Sequence, residues 1–209
     1  MKFLLLGATG AVGRAVLRQL LADDAVTAVI APTRRPLTPA PKLTNPLTDF
    51  AALPGEGDIW QADAVVSALG TTQKIAGSRD AFRRVDLDLV IATAAAARRA
   101  GSASLAVVSS VGAASRSPSF YLRTKGEMEA ALRALGYPSL TIVRPSMIDA
   151  RRDPPRGLEE WGTKAFRLFA PLIPARYRAV TPEQIARTLI AAARAAAPGV
   201  RVIESEDIG

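Results

Sequence analysis

Met1-Lys-Phe-Leu-Leu-Leu-Gly7-Ala-Thr-Gly10-Ala-Val-Gly13 opens the chain and decides its fold. An apolar run over residues 2–6 meets a glycine turn, and an amphipathic helical pattern over 12–22 follows at once. A turn without side chains lets backbone close on a pyrophosphate. The helix start behind it offers free N–H groups and the positive end of a dipole. Gly-x-x-Gly-x-x-Gly alone is unspecific, but a strand before it and a helix after it are the context a dinucleotide-binding turn requires.

Outward from that turn, short β-type runs alternate with helical patterns, as in a parallel sheet with crossover helices. Further strands are expected at 27–31, 64–69, 105–109, 140–144 and 200–203, with one short strand inside the proline-rich 36–46. Helices are expected at 79–99, closed by Gly101, and at 121–135. A last one opens at Thr181-Pro182-Glu183 with an N-cap, a first-position proline and an early acid. These elements predict an α/β fold: a Rossmann-like doubly wound parallel sheet with helices on both faces and a small C-terminal substrate lobe. Residues 1–209 are expected to form a single NAD(P)-binding domain. Within it, 145–180 follow a strand's carboxyl end, where such sheets bind ligands, and are expected to form the lobe or lid.

The composition narrows the chemistry. The chain has no cysteine and no histidine. Thiol nucleophiles, disulfides, Cys/His zinc sites and a Ser-His-Asp triad are excluded, and no metal site is expected. Acid–base work falls to Tyr, Lys, Asp or Glu. The net charge is +8, but the arginines are scattered rather than gathered in a block interleaved with aromatics. No nucleic-acid partner is expected, and the charge favours anionic, phosphorylated ligands. No run of about eighteen apolar residues occurs, and the first strand begins at residue 2. No membrane span or signal peptide is expected, and the expected location is cytoplasmic.

After the second strand comes Thr33-Arg34-Arg35, where NAD enzymes usually carry an acid on the ribose 2′-hydroxyl. Guanidinium groups instead pair with a 2′-phosphate, so Arg34 and Arg35 point to NADP(H) over NAD(H). The fourth strand ends in Ser67-Ala-Leu69-Gly70-Thr71-Thr72, small enough for a cofactor sugar to lie against backbone. Tyr121 and Lys125, four residues apart, share one helix face. An ammonium beside a phenol favours the phenolate and makes proton exchange with a substrate hydroxyl or carbonyl feasible. The fifth strand ends at Ser109-Ser110. Strand alternation sends these to opposite faces, and Ser110 is taken as the one that holds the reacting oxygen.

These motifs, in this order, resemble the short-chain dehydrogenase/reductase superfamily, and more closely its atypical TIP30-like NAD(P)-binding group. Leu69-Gly70-Thr71-Thr72, Val85-Asp86, Val108-Ser109-Ser110-Val-Gly112-Ala113, Tyr121-x-x-x-Lys125-Gly126-Glu127 and Arg144-Pro145 carry the likeness across essentially the whole chain. The resemblance implies that Gly7, Thr9, Gly10, Ala11, Val12 and Gly13 cradle the pyrophosphate. Arg34 and Arg35 would hold the 2′-phosphate, and Leu69 and Gly70 would lie against the adenosine-side ribose. Tyr121 would exchange the proton and Lys125 would bind the nicotinamide ribose. Ile148 and Arg156 match further cofactor-contact positions.

One departure stands out. Typical short-chain dehydrogenases use a relay Asn in the long helix, whereas the only Asn here is Asn45. The expected function is an NADP(H)-dependent oxidoreductase acting on a small carbonyl or alcohol substrate, as a monomer or homodimer. Two alternatives accompany it: a non-catalytic NADPH-binding regulator, and a sugar-nucleotide epimerase or dehydratase. Trp161, Phe166, Leu168 and Phe169 are candidates for an apolar pocket or a packing face, and Arg151 and Arg152 for an anion contact or a solvated loop.

Overall fold

A computed structural model describes residues 1–149 and 174–209. The strands are β1 Lys2–Leu6, β2 Ala28–Ile30, β3 Leu43–Thr44, β4 Ala64–Ser67, β5 Ser104–Val108, β6 Ser139–Arg144 and β7 Gly199–Glu204. They form a seven-stranded sheet in the order β3-β2-β1-β4-β5-β6-β7. Every pairing is parallel. The order reverses between β1 and β4, and the crevice beyond that reversal is where such sheets take ligands. The glycine turn stands there.

The helices are α1 Ala11–Ala22, α2 Gln73–Ala76, α3 Arg79–Arg83, α4 Leu89–Arg99, α5 Phe120–Ala134 and α6 Pro182–Ala195. Strands covered on both faces need apolar residues at consecutive positions. In β1, Phe3 and Leu5 pack with Val16, Leu20, Ile185 and Leu189 from α1 and α6. Leu4 and Leu6 pack on the other side with Val90, Met128 and Leu132 from α4 and α5. Each large side chain so buried contributes about 1.5–3 kcal/mol. The sheet is thereby fixed as a platform for the loops at its carboxyl edge.

The expected doubly wound sheet is the observed one, including the short third strand at Leu43–Thr44. The last helix starts as read: Thr181 accepts the Gln184 N–H, Gln184 returns a bond to the Thr181 N–H, and a proline fills the first turn. The expected continuous helix 79–99 is different. A π-helical turn, Arg84–Asp88, joins α3 to α4. Its wider turn shifts the helical phase, so that the adjacent Asp86 and Leu87 are both buried. The greater part of the expected 145–180 lobe lies outside the described residues, with Arg151, Arg152, Arg156, Trp161, Phe166, Leu168 and Phe169.

Candidate cofactor and active site

The glycine turn is closed by backbone alone. Gly10 N–H donates to the Gly7 carbonyl at 3.0 Å, and Arg14 N–H to the Gly10 carbonyl at 2.9 Å. Gly7 has φ +84°, and a Cβ there would lie 2.6 Å from the Ala68 carbonyl oxygen and 2.8 Å from the Leu69 nitrogen. A Cβ at Gly13 would fall 1.9 Å from the Gly7 oxygen. Both positions therefore exclude any side chain. Gly10, as N-cap, supplies no side-chain bond to the helix start, and the first turn carries no acid. The amide groups of α1 are left facing outward with the positive dipole end, a fit for a diphosphate. Arg14 adds charge that the sequence reading missed: its Nη1 donates to the Thr9 carbonyl at 2.6 Å, folding the guanidinium back to the turn.

From this turn the structure leads without a gap to the catalytic candidates. Leu69 and Gly70 leave β4 beside Gly7, and a Cβ at Gly70 would lie 3.3 Å from Asp86 Oδ1 and 3.7 Å from Lys125 Nζ. Lys125 Nζ is 2.7 Å from Asp86 Oδ1, with side-chain exposures of 4% and 1%. Asp86 Oδ2 accepts the Thr71 N–H at 2.7 Å. So the buried pair Asp86 and Lys125 is tied to the more exposed strand-end residues Gly70 and Thr71. Asp86 is a motif position in the sequence without an assigned role, because its partner comes from a distant helix, which local patterns do not reveal.

Tyr121 stands one turn before Lys125 and is half-buried. Its ring lies 5.7 Å from that of Phe82, centroid to centroid. Among the described residues its hydroxyl has no hydrogen-bond partner. One further turn along α5, Glu129 is 3% exposed. It accepts the Ser109 hydroxyl at 2.5 Å and two bonds from Arg144, from Nε at 2.9 Å and Nη2 at 2.6 Å. Arg144 Nη1 also donates to Glu204 at 2.9 Å. The bond to Glu129 is the main reason this guanidinium holds its proton even more tightly than usual. Tyr121, Lys125 and Glu129 thus form a polar stripe at four-residue spacing. The continuation of that spacing was visible in the sequence and could have flagged Glu129.

Ser109 is taken up by Glu129, whereas the half-buried Ser110 hydroxyl makes only a long 3.4 Å contact with the Val111 carbonyl. The two serine hydroxyls thus have different surroundings. The loop after Ser110 lies tightly on α5: a Cβ at Gly126 would lie 2.2 Å from the Ala114 carbonyl carbon. Arg34 and Arg35 are exposed beyond β2. A surface depression beside them is lined by Arg34, Leu47, Thr48 and Asp49. Ile148 pairs with Val180 in an isolated bridge and is 36% exposed. The described residues hold no cluster of His, Cys, Asp and Glu suited to a metal ion.

A profile described as NAD(P)H-binding matches residues 7–196. The chain belongs to this NAD(P)H-binding family. It is an NAD(P)-binding domain, and its curated relatives include proteins named FMP52, mitochondrial. That of Meyerozyma guilliermondii is 34% identical over 168 residues, covering 77% of this chain and 70% of the relative. That of Chaetomium globosum is 33% identical over an aligned length of 224, covering 98% and 94%. Among solved structures, the Bordetella bronchiseptica enzyme WbmG in complex with NAD superposes with a TM-score of 0.68 at 15% identity, covering 98% of this chain and 72% of that one. UDP-glucuronic acid 4-epimerase from Bacillus cereus in complex with NAD gives 0.68 at 13%, covering 98% and 78%. At such identities the family's structural neighbours, epimerase/dehydratase-like members of the short-chain superfamily among them, share the fold.

The relatives overturn the cytoplasmic expectation, because their names place them in mitochondria. That expectation rested on reading neither a secretory leader nor an apolar span in the sequence. Neither bears on delivery to mitochondria. No helix among the described residues is long and apolar enough to cross a membrane.

Proposed function

We propose that this NAD(P)H-binding protein is an NADP(H)-dependent oxidoreductase of the atypical short-chain type, nearest the TIP30-like group, acting on a small carbonyl or alcohol. The observation that carries the reading is the α5 stripe. It sets a half-buried Tyr121 hydroxyl, without a partner among the described residues, one turn from Lys125, and Lys125 lies against the strand-end residues that follow the glycine turn.

In this reading the backbone of Gly7, Thr9, Gly10, Ala11, Val12 and Gly13 holds the diphosphate, and Arg14 adds charge beside it. Arg34 and Arg35 take the 2′-phosphate, for which their exposure suits them. Asp49, in the same depression, has one carboxylate oxygen occupied by the Ala51 N–H at 2.9 Å. Leu69 and Gly70 flank the adenosine-side ribose. Lys125, fixed by Asp86, meets the nicotinamide ribose; Ile148 and Arg156 complete the contacts. The bound dinucleotide supplies or accepts hydride at the carbonyl carbon. In the reducing direction Tyr121 donates its hydroxyl proton to the carbonyl oxygen, and Ser110 holds that oxygen as charge develops.

A regulatory NADPH-binding role remains as the second reading, and one observation favours it. Lys125 shares its charge with a buried carboxylate, Asp86, in the helix where typical enzymes of this superfamily use a neutral Asn. The test is calorimetric titration of NADPH and NADH against the wild type and Arg34→Ala/Arg35→Ala, followed by NADPH oxidation across a carbonyl panel. A marked NADPH preference that collapses in the double variant, with turnover abolished by Tyr121→Phe, is the expected result. Tight binding without turnover on any carbonyl leaves the regulator, and no binding of either cofactor overturns both.

A further inference from the structure

Asn45 lies just past β3, and its side chain is fully used. Nδ2 donates to the Ala31 carbonyl at 2.6 Å and to Thr33 Oγ1 at 2.8 Å, while Oδ1 accepts the Leu37 N–H at 2.8 Å. Thr33 Oγ1 passes the contact on, donating to the Arg35 carbonyl at 2.6 Å. One amide therefore ties the exit of β2 at Ala31 to the return of the chain at Leu37. The arch between them carries Arg34 and Arg35. A second set of bonds secures its near end: Thr33 N–H donates to the Pro46 carbonyl at 3.1 Å, and Thr48 N–H to the Thr33 carbonyl at 2.9 Å. Thr33 itself is 4% exposed. The base of the arch is held, while the two arginines stand exposed on it.

A backbone fixed in advance leaves only side-chain ordering to be paid when an anion binds. We propose that Asn45, acting through Thr33, is a positioning residue for cofactor selectivity: it presets the arch from which Arg34 and Arg35 reach a 2′-phosphate. The inference rests on the NADP(H) reading above. It also gives this lone asparagine a place in cofactor choice, remote from the relay near Tyr121.

NADPH and NADH are titrated calorimetrically against wild type, Asn45→Ala, Thr33→Val and Arg34→Ala/Arg35→Ala. Asn45→Ala is expected to weaken NADPH about tenfold and Thr33→Val about threefold, each with NADH affinity unchanged. Retained NADH binding shows that a variant is folded. Should Asn45→Ala not fold, Thr33→Val carries the test, since it exchanges only the hydroxyl for a methyl group of similar shape. A wild type that discriminates, with the NADPH-to-NADH ratio unmoved in the folded variants, overturns the role of Asn45 alone. Equal weakening of both cofactors overturns it too, because that is the mark of a general structural loss. A wild type that binds both alike defeats the arginine reading and this inference with it.

Discussion

The two halves of the ligand face are built by opposite means. Around β1 and α1 the work is done by absence: Gly7 and Gly13 leave no room for a Cβ, and the proposed anion site is backbone with exposed arginines beyond it. Around α5 the work is done by buried charge. Asp86 holds Lys125, and Glu129 holds both Ser109 and Arg144. The first half is close-packed and offers its polarity outward. The second spends its charges on one another, while among the described residues the Tyr121 hydroxyl has no partner and that of Ser110 makes only a long contact. The proposed recognition on one side and the proposed chemistry on the other then differ in what a mutation can break.

The largest effect is expected in the first half. Gly13→Val places side-chain atoms where the Gly7 carbonyl already sits, 1.9 Å from the Cβ position. No rotamer relieves a clash with backbone, so β1 and α1 must separate. A loss of more than about 4 kcal/mol is expected in urea unfolding, together with loss of both cofactors. A stable Gly13→Val protein that still binds dinucleotide would show that the turn is not the close-packed element described.

The second half is expected to respond to broken pairs rather than lost volume. Asp86→Ala strands Lys125, 4% exposed, without a counter-charge, and about 3 kcal/mol of stability is expected to go. Asp86→Leu/Lys125→Met removes both charges and is expected to recover most of that loss while turnover stays absent. Denaturant unfolding of the single and double variants reads the difference. Recovery without turnover marks the pair as a device for placing Lys125. A double variant no better than the single one would make it a stability element instead.

Tyr121→Phe is a smaller structural change with a sharper readout. The hydroxyl has no partner among the described residues, so stability is expected to stay within about 0.5 kcal/mol. Carbonyl-dependent NADPH oxidation is expected to fall at least about a hundredfold, some 2.7 kcal/mol in the barrier. NADPH affinity, which in this reading rests on the glycine turn, the arginines and Lys125, is expected to hold. A Phe variant of unchanged rate would remove Tyr121 from the chemistry.

The same contrast explains what the sequence made legible. The glycine turn, the strand and helix that flank it and the Thr181 cap are local facts, written within a few neighbouring residues. Tyr121 and Lys125 were found because helix spacing is local as well. Asp86 and Arg144 were quoted as motif positions without a role, because their partners arrive from other elements. Asp86 meets Lys125 only after a π turn rotates it inward, and no periodicity of 3.6 foretells that turn. Asn45 lies in the wrong segment for the relay role, and its bonds to Ala31, Thr33 and Leu37 join residues that the sequence does not show to be neighbours.

The smallest expected effect lies behind the glycine turn, where α1 meets α6. Asp23, just after α1, pairs with Arg194. The hydrogen bond from Arg194, then that from the Ala25 N–H, hold its carboxyl below the ordinary 3.8. A carboxylate favoured in the folded state adds stability above the unfolded value, and that contribution fades as pH falls through the lowered folded value. The pair is solvent-facing, so salt screens it. Melting curves of wild type and Arg194→Ala are therefore expected to differ slightly near neutrality and to converge in acid or in high salt. A gap that widens as the pH falls below 3.8 would reverse the sign of this linkage. An unchanged gap would place the contribution of Arg194 in its aliphatic packing on α1 rather than in its charge.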